Sequence, residues 1–195
     1  ECIRETDDDN LPLPSFWQPV SAEVAGKLVT GSRWVNAYRF FTAEDIWPRG
    51  FPLEHLQPSP TAYSTVDTGP LPCPVQQGLV SGDPDVDAVY RLTRPLPFHF
   101  DPGGPVILDR GCWCPFNSQN TTWFWEAFPL LYLPSHCTFR MTDIWRSFVC
   151  QACLWPNRWH LAFREATVRQ QRNHHDLLRD FQDEIPGYLH NAAIV

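Results

Sequence analysis

The chain has 195 residues, enough for one sizeable domain with its own core, and its apolar fraction of 43% excludes disorder as the default state. Its formal charge of −7 argues against binding a polyanion through bulk electrostatics. An acidic protein that handles phosphate needs a cation to bridge the repulsion. The 20 prolines predict ordered loops between short elements, and the 9 tryptophans supply flat apolar surfaces that suit packing and sugar faces equally.

The first residue is Glu1 rather than Met and stands close to an acidic cluster, which reads as a fragment or processed piece. With no signal peptide and no long apolar run, this stretch reads as soluble, and any membrane anchor would precede Glu1. Residues 1–20 read as an extended segment, then Asp7, Asp8 and Asp9, then a proline-rich exit. On an extended strand Asp7 and Asp9 point to one face and Asp8 to the other. Two hard oxygen ligands with room for phosphate and water suit Mn²⁺ or Mg²⁺. The same Asp-Asp-Asp-Asn run is also good turn chemistry.

Residues 30–60, rich in aromatic, proline and glycine residues, read as an ordered loop. Gly82 opens a turn into a short strand or helix, Val106–Leu108 reads as a buried strand, and Phe128–Leu133 reads the same way. A helix starts at Asp143, with Ile144, Trp145, Phe148, Val149 and Ala152 on one face and Thr142 or Asp143 as its N-cap. Trp159–Val168 alternates in part and reads as a strand. His175–Ile185 reads as a second helix, with Leu177, Leu178, Phe181 and Ile185 inward and Pro186-Gly187 ending it. Short strands mixed with helices make the class α/β.

Several side chains carry chemistry under one reading and structure under another. Asp143, at a helix start, fits a general base that takes the proton of an attacking hydroxyl; as an N-cap it would instead stabilise the helix by about 1 kcal/mol. His174 and His175 follow a basic run that includes Arg169 and Arg172. His175 is the better candidate to complete a metal shell, and surface histidine is the alternative. Arg49, Arg91 and Arg146 can offset phosphate charge or pair with structural acids. Asn117, Ser118, Gln119 and Asn120 can read sugar hydroxyls or satisfy their own loop. Asn120-Thr-Thr is also a glycosylation sequon, meaningful only in a luminal chain. The seven cysteines allow free thiols, disulfides or a Cys112/Cys114/Cys150/Cys153 zinc site, but the single-residue spacer between Cys112 and Cys114 is tight for zinc. Trp34, Trp47, Trp113 and Trp123 read as core.

Longer strings are more specific than any of these. Asp83-Pro-Asp-Val-Asp-Ala-Val-Tyr-Arg-Leu, Cys114-Pro-Phe-Asn-Ser-Gln-Asn-Thr, Phe139-Arg-Met-Thr-Asp-Ile-Trp-Arg-Ser and His175-Asp-Leu-Leu-Arg-Asp-Phe-Gln-Asp-Glu-Ile-Pro-Gly-Tyr-Leu resemble the STELLO family of probable glycosyltransferases. Trp47-Pro-Arg-Gly-Phe-Pro-Leu and Glu5-Thr-Asp-Asp-Asp-Asn resemble it too. The resemblance implies a GT-A-like fold, a mixed, mostly parallel sheet with flanking helices, and an Asp-x-Asp metal site. It implies a Golgi membrane setting with a luminal domain, and for plant members a link to cellulose synthase assembly.

On that basis residues 1–195 are expected to form the metal-motif and acceptor side of one glycosyltransferase domain, without its N-terminal nucleotide-binding units. Asp7, Asp9 and His175 would hold Mn²⁺ or Mg²⁺. Asp8, Arg49 and Arg146 would contact a nucleotide-sugar donor such as a UDP-sugar, and Asp143 would act as base toward a glycan or other hydroxyl acceptor. Asn117, Ser118, Gln119 and Asn120 would meet the acceptor or a sugar. The competing expectation is an inactive scaffold that binds proteins of a glycan-synthesising complex.

Overall fold

A computed structural model describes residues 1–31, 33–56 and 63–195. Eight strands among them form one sheet: β1 (Cys2–Thr6), β2 (Asn10–Pro12), β3 (Glu23–Thr30), β4 (Ser64–Pro72), β5 (Val75–Ser81), β6 (Val106–Leu108), β7 (Asn120–Phe124) and β8 (Leu161–Gln170). Their order is β1-β7-β5-β8-β6-β3-β4, and β2 pairs with the far end of β8. The helices are α1 (Ala88–Thr93), α2 (Thr142–Leu154) and α3 (Leu177–Ile194). The α/β class and the mixed, open sheet with flanking helices are as expected. Only β5–β8 and β3–β6 run parallel; the other five pairings are antiparallel. A parallel neighbour needs a long crossover, and the long connections 82–160 and 31–105 lead to those two pairings.

The central strands are buried along their length. β5 is buried from Val75 to Val80, and Leu161, Ala162 and Phe163 of β8 are buried in turn. The main core gathers Trp123, Phe116, Phe163, Ile144, Phe148 and Leu154. Of the face expected on α2, Ile144 and Phe148 are buried and Trp145 packs against the core, whereas Val149 and Ala152 are exposed and Cys150 and Leu154 point inward instead. Trp34, Trp47 and Trp123 are buried and Trp113 packs against the same cluster, as expected. A smaller cluster of Val24, Cys73, Ile107 and Ala162 is separate from it. Fully burying one such aliphatic or aromatic side chain stabilises by roughly 1.5–3 kcal/mol. None of the seven cysteines is in a disulfide. No helix among the described residues is long and apolar enough to cross a membrane.

Three local expectations are corrected. Phe128–Leu133 is not a strand: Trp125–Leu131 is a 3-10 helix, and Pro129 within it could not donate to a sheet ladder. The cap position of α2 is Met141, with Thr142 and Asp143 inside the first turn; the Thr142 hydroxyl donates to the Phe139 carbonyl instead. The last helix does not stop at Pro186-Gly187 but runs to Ile194.

Tertiary anchoring outweighs the helix-breaking pair. Asn191 donates to the Gly50 carbonyl at 2.7 Å and accepts from Trp145 Nε1 at 2.9 Å. Gly187 lies so close to Met141 that a Cβ would sit 2.6 Å from its terminal methyl. The inward face of α3 is also polar, made of Asp180, Glu184, Gly187 and Asn191, while Leu178 and Leu189 point outward, 67% and 68% exposed. Apolar periodicity alone selects the wrong face because Asp180 and Glu184 turn inward to meet arginines.

Candidate active site

In parallel α/β sheets the backbone leaves a crevice at the carboxyl ends of the strands. Here the parallel pair β5 and β8 ends at Ser81 and Gln170. The chain after β5 carries Asp83, Asp85 and Asp87, and the chain after β8 carries Arg172, Asn173 and His175. The β1–β2 connection brings Asp7, Asp8 and Asp9 to the same end. These three carboxylates, with Asp85, Arg172, Asn173 and His175, line a cavity of about 300 Å³ together with Arg49, Arg91, Ser118, Gln119, Arg140 and Asp143.

The acidic run is a tight turn rather than an extended strand, closed by Asn10 N–H donating to the Asp7 carbonyl at 3.3 Å. The expected alternation of faces is therefore replaced by three carboxylates that all line the cleft. Asn10 fixes the turn by donating to Thr6 Oγ1 at 2.8 Å and to the Gln119 carbonyl at 2.6 Å. Asp9 accepts from Gln170 Nε2 at 2.8 Å and from Asn173 N–H at 3.2 Å, which ties the turn to the end of β8. Gln119 Nε2 donates in turn to Gln170 Oε1 at 2.6 Å.

Asp7 has only a 3.5 Å contact from Gln170, and among the described residues Asp8 accepts no side-chain hydrogen bond. Partial burial pushes the Asp7 carboxyl up to about 6, with the charges of Asp85, Asp9 and Asp143 adding to the shift and Arg49 opposing it. By surface area Asp7 is exposed at the cleft mouth, so this crowding coexists with solvent access.

Arg49 is the hub of the cleft floor. Its guanidinium donates to Asp85 through Nε at 2.8 Å and Nη2 at 2.8 Å, to Asp143 through Nη1 at 3.1 Å and Nη2 at 2.8 Å, and to the Arg140 carbonyl. Burial opposes the Asp85 charge, yet Arg49 holds that carboxyl below its ordinary value. Asp143 also accepts from the Ser118 and Ile144 N–H groups at 3.2 and 2.9 Å. The general-base candidate is thus in the cleft, but as a carboxylate bound by Arg49.

On the opposite wall Asp180 supports three groups: Arg172 Nη2 at 2.8 Å, His175 Nδ1 at 3.3 Å and Arg140 Nε at 3.9 Å. Glu184 takes Arg140 Nε at 2.9 Å and the Tyr188 hydroxyl at 2.6 Å. Arg91 is held by Asp83.

The fold brings Asp7, Asp8, Asp9, Arg49, Ser118, Gln119, Asp143 and His175 to one cleft. It does not bring Arg146, Asn117 or Asn120 there. Arg146 donates to both Glu5 oxygens at 3.0 Å and lies over the Trp123 ring at 4.8 Å. The Asn117 side chain accepts from Gln119 N–H at 2.9 Å. Asn120 is buried in β7, donates to the Leu79 carbonyl at 2.9 Å and packs on Gly78, so the sequon lies inside the fold. Sequence reasoning missed Asp85, Arg140 and Gln170 and met Arg172 only within a basic run. All four sit inside strings or runs already singled out, but spacing does not say which of their residues reach a cleft.

Among the described residues no three His, Cys, Asp or Glu side chains form a ready-made metal cage, at the acidic turn or at the cysteines. The donor chemistry of the turn nevertheless fits a hard cation. Asp7 offers oxygens with few protein donors, and each Asp9 oxygen accepts a single hydrogen bond and keeps a further lone pair. Mg²⁺ or Mn²⁺ needs only one or two carboxylates when phosphate and water complete the shell.

The cleft thus lies at the carboxyl ends of a parallel pair in an α/β sheet, with acids on one side and guanidinium groups on the other. Residues 140–195 match the model of the family described as STELLO glycosyltransferases. Two relatives from Arabidopsis thaliana, "Probable glycosyltransferase STELLO2" and "Probable glycosyltransferase STELLO1", are each 36% identical over 143 residues. These matches cover 70% of this chain and 19% and 18% of the relatives. The chain belongs to the STELLO family and spans about a fifth of the length of these two relatives.

Proposed function

We propose that the chain is the metal-motif and acceptor-side part of a glycosyltransferase domain that moves a sugar from a nucleotide-diphosphate donor to a hydroxyl acceptor. The observation that carries this reading is the two-sided cleft, in which the Asp7–Asp9 turn faces arginines fixed by α3. Asp7 and Asp9 would hold Mn²⁺ or Mg²⁺, with His175 close enough to the same cleft to join them and Asp8 directed to the donor's sugar or ribose. Such an ion supplies charge stabilisation to the departing diphosphate.

The chain's own residues position the rest. Gln170 and Asn173 orient Asp9, so the turn is fixed relative to β8 before any ligand arrives. Ser118 and Gln119 line the side where an acceptor hydroxyl would enter. Asp143 can accept that hydroxyl's proton only if Arg49 yields one of its two hydrogen bonds and leaves an oxygen open to the incoming hydroxyl. If configuration is retained, Asp143 and Arg49 together set the floor of the sugar site and no proton transfer to Asp143 is needed.

Calorimetric titration of a UDP-sugar onto the chain tests this reading. Binding should require Mn²⁺ or Mg²⁺ and disappear in Asp7→Ala and Asp9→Ala. Binding that persists unchanged in both variants removes the metal assignment. The second reading, a protein-binding scaffold, is favoured by the outward Leu178 and Leu189 of α3. It predicts no donor binding with or without the ion.

A further inference from the structure

A second cavity, of about 450 Å³, opens beside the first and is lined by Gly82, Asp83, Leu96, Pro97, His99, Arg169, Gln170, Gln171 and Arg172. Gln170 and Arg172 line both cavities, so the end of β8 forms the partition between them. The two spaces differ in charge. The first is crowded with carboxylates, whereas the only acid of the second among the described residues, Asp83, is already paired with Arg91. Arg169 has no ion-pair or hydrogen-bonding partner for its guanidinium among the described residues. His99 uses Nδ1 on Ser81 Oγ at 2.6 Å, which leaves Nε2 without a protein partner among them.

Arg172 is the built part of this arrangement. Its side chain is only 10% exposed, and Asp180 fixes it through Nη2 alone. Nε and Nη1 have no protein acceptor among the described residues, so a buried, pre-positioned guanidinium presents open donors at the junction. Burial first, and then the neighbouring charges of Arg91 and Arg140, push Arg172 down to about 10.

We infer that the second cavity is an oxyanion subsite, in which Arg172 at the partition and Arg169 at the mouth bind the phosphate or carboxylate group of a small polar ligand. A fork of guanidinium N–H groups matches either group. Leu96 and Pro97 give the cavity an apolar side against which the ligand's carbon skeleton can rest. The subsite needs no metal and does not rest on the transferase reading, because none of its residues belongs to the acidic turn.

The test is titration of the chain in EDTA, followed by NMR or calorimetry, with inorganic pyrophosphate in one arm and glucuronate in the other. At least one should saturate, and its binding should weaken about tenfold or more in Arg169→Gln and in Arg172→Gln. Asp7→Asn should bind at least as tightly as the parent. Preference for pyrophosphate assigns the site to a phosphate group, and preference for glucuronate to an acidic sugar. Because Arg169 is exposed, Arg169→Gln should melt with the parent chain, and it keeps the test valid if Arg172→Gln folds poorly. Absence of saturation in both arms overturns the inference. So does undiminished binding in Arg169→Gln, which would place the oxyanion in the first cavity, or binding that needs Mn²⁺ and is lost in Asp7→Asn.

Discussion

Arg49 and Asp143 meet in a two-pronged ion pair, Nη1 to Oδ1 at 3.1 Å and Nη2 to Oδ2 at 2.8 Å, while the same guanidinium holds Asp85. A single buried cation therefore links the chain after β5, the start of α2 and the loop that carries Trp47 and Gly50. The arrangement makes the cleft floor a structural unit as well as a chemical one.

Removal of that cation should be costly. Arg49→Met leaves Asp85 and Asp143 without their shared partner, and breaking a buried pair from one side costs about 3–5 kcal/mol. Thermal or urea unfolding should show this loss at neutral pH. The loss should shrink in acid, because Asp85 is held below its ordinary value. Its contribution is present above the unfolded-state value near 4 and disappears as pH falls through the lower folded-state value.

Asp7 has the opposite sign. Its carboxyl is raised to about 6, so ionising it disfavours the ligand-free fold, and the cost develops as pH rises from about 4 through about 6. Asp7→Asn should therefore raise the melting temperature at pH 7 and leave it unchanged below about pH 4. Any cation bound at the turn competes with the Asp7 proton, so Mn²⁺ affinity in the parent chain should fall as pH drops through about 6.

Gly50 stands beside the hub with φ of +85°, and a Cβ there would overlap the Ile144 side chain. Gly50→Ala should cost about 3 kcal/mol from the left-handed backbone and the overpacked contact together. Denaturant unfolding measures it, and the loss should come with a displaced α2.

The thiols offer a check on packing. Cys2 and Cys153 are exposed, whereas burial pushes the thiols of Cys73 and Cys114 up to about 12 and raises that of Cys150 as well. An aromatic disulfide reagent should label Cys2 and Cys153 rapidly and the buried thiols only on unfolding.

Much of this fold was legible where one physical term dominates. The inward Ile144 and Phe148 of α2, the strand at Val106–Leu108 and the alternation leading into β8 follow from periodicity, whereas Val149 and Ala152 of α2 are exposed. Legibility ended where polar groups are buried against one another. Nothing in the spacing of Asp180 and Glu184 says that they face inward, since their reason for doing so is Arg140 and Arg172, some 40 residues before and 8 residues before in the chain. The same holds for Arg146: it resembles a phosphate ligand until Glu5, 141 residues away, takes it. The acidic turn was visible, but its carboxylates reach the cleft through the Asn10, Gln119 and Gln170 hydrogen bonds rather than through strand alternation.

The cation site at that turn is the central claim, and electron paramagnetic resonance of Mn²⁺ tests it most directly. With UDP present, the free-ion signal should fall on adding the parent chain and should stay high on adding Asp7→Asn or Asp9→Asn chains of equal helicity. An equal fall with parent and variants would place the ion elsewhere and contradict the account.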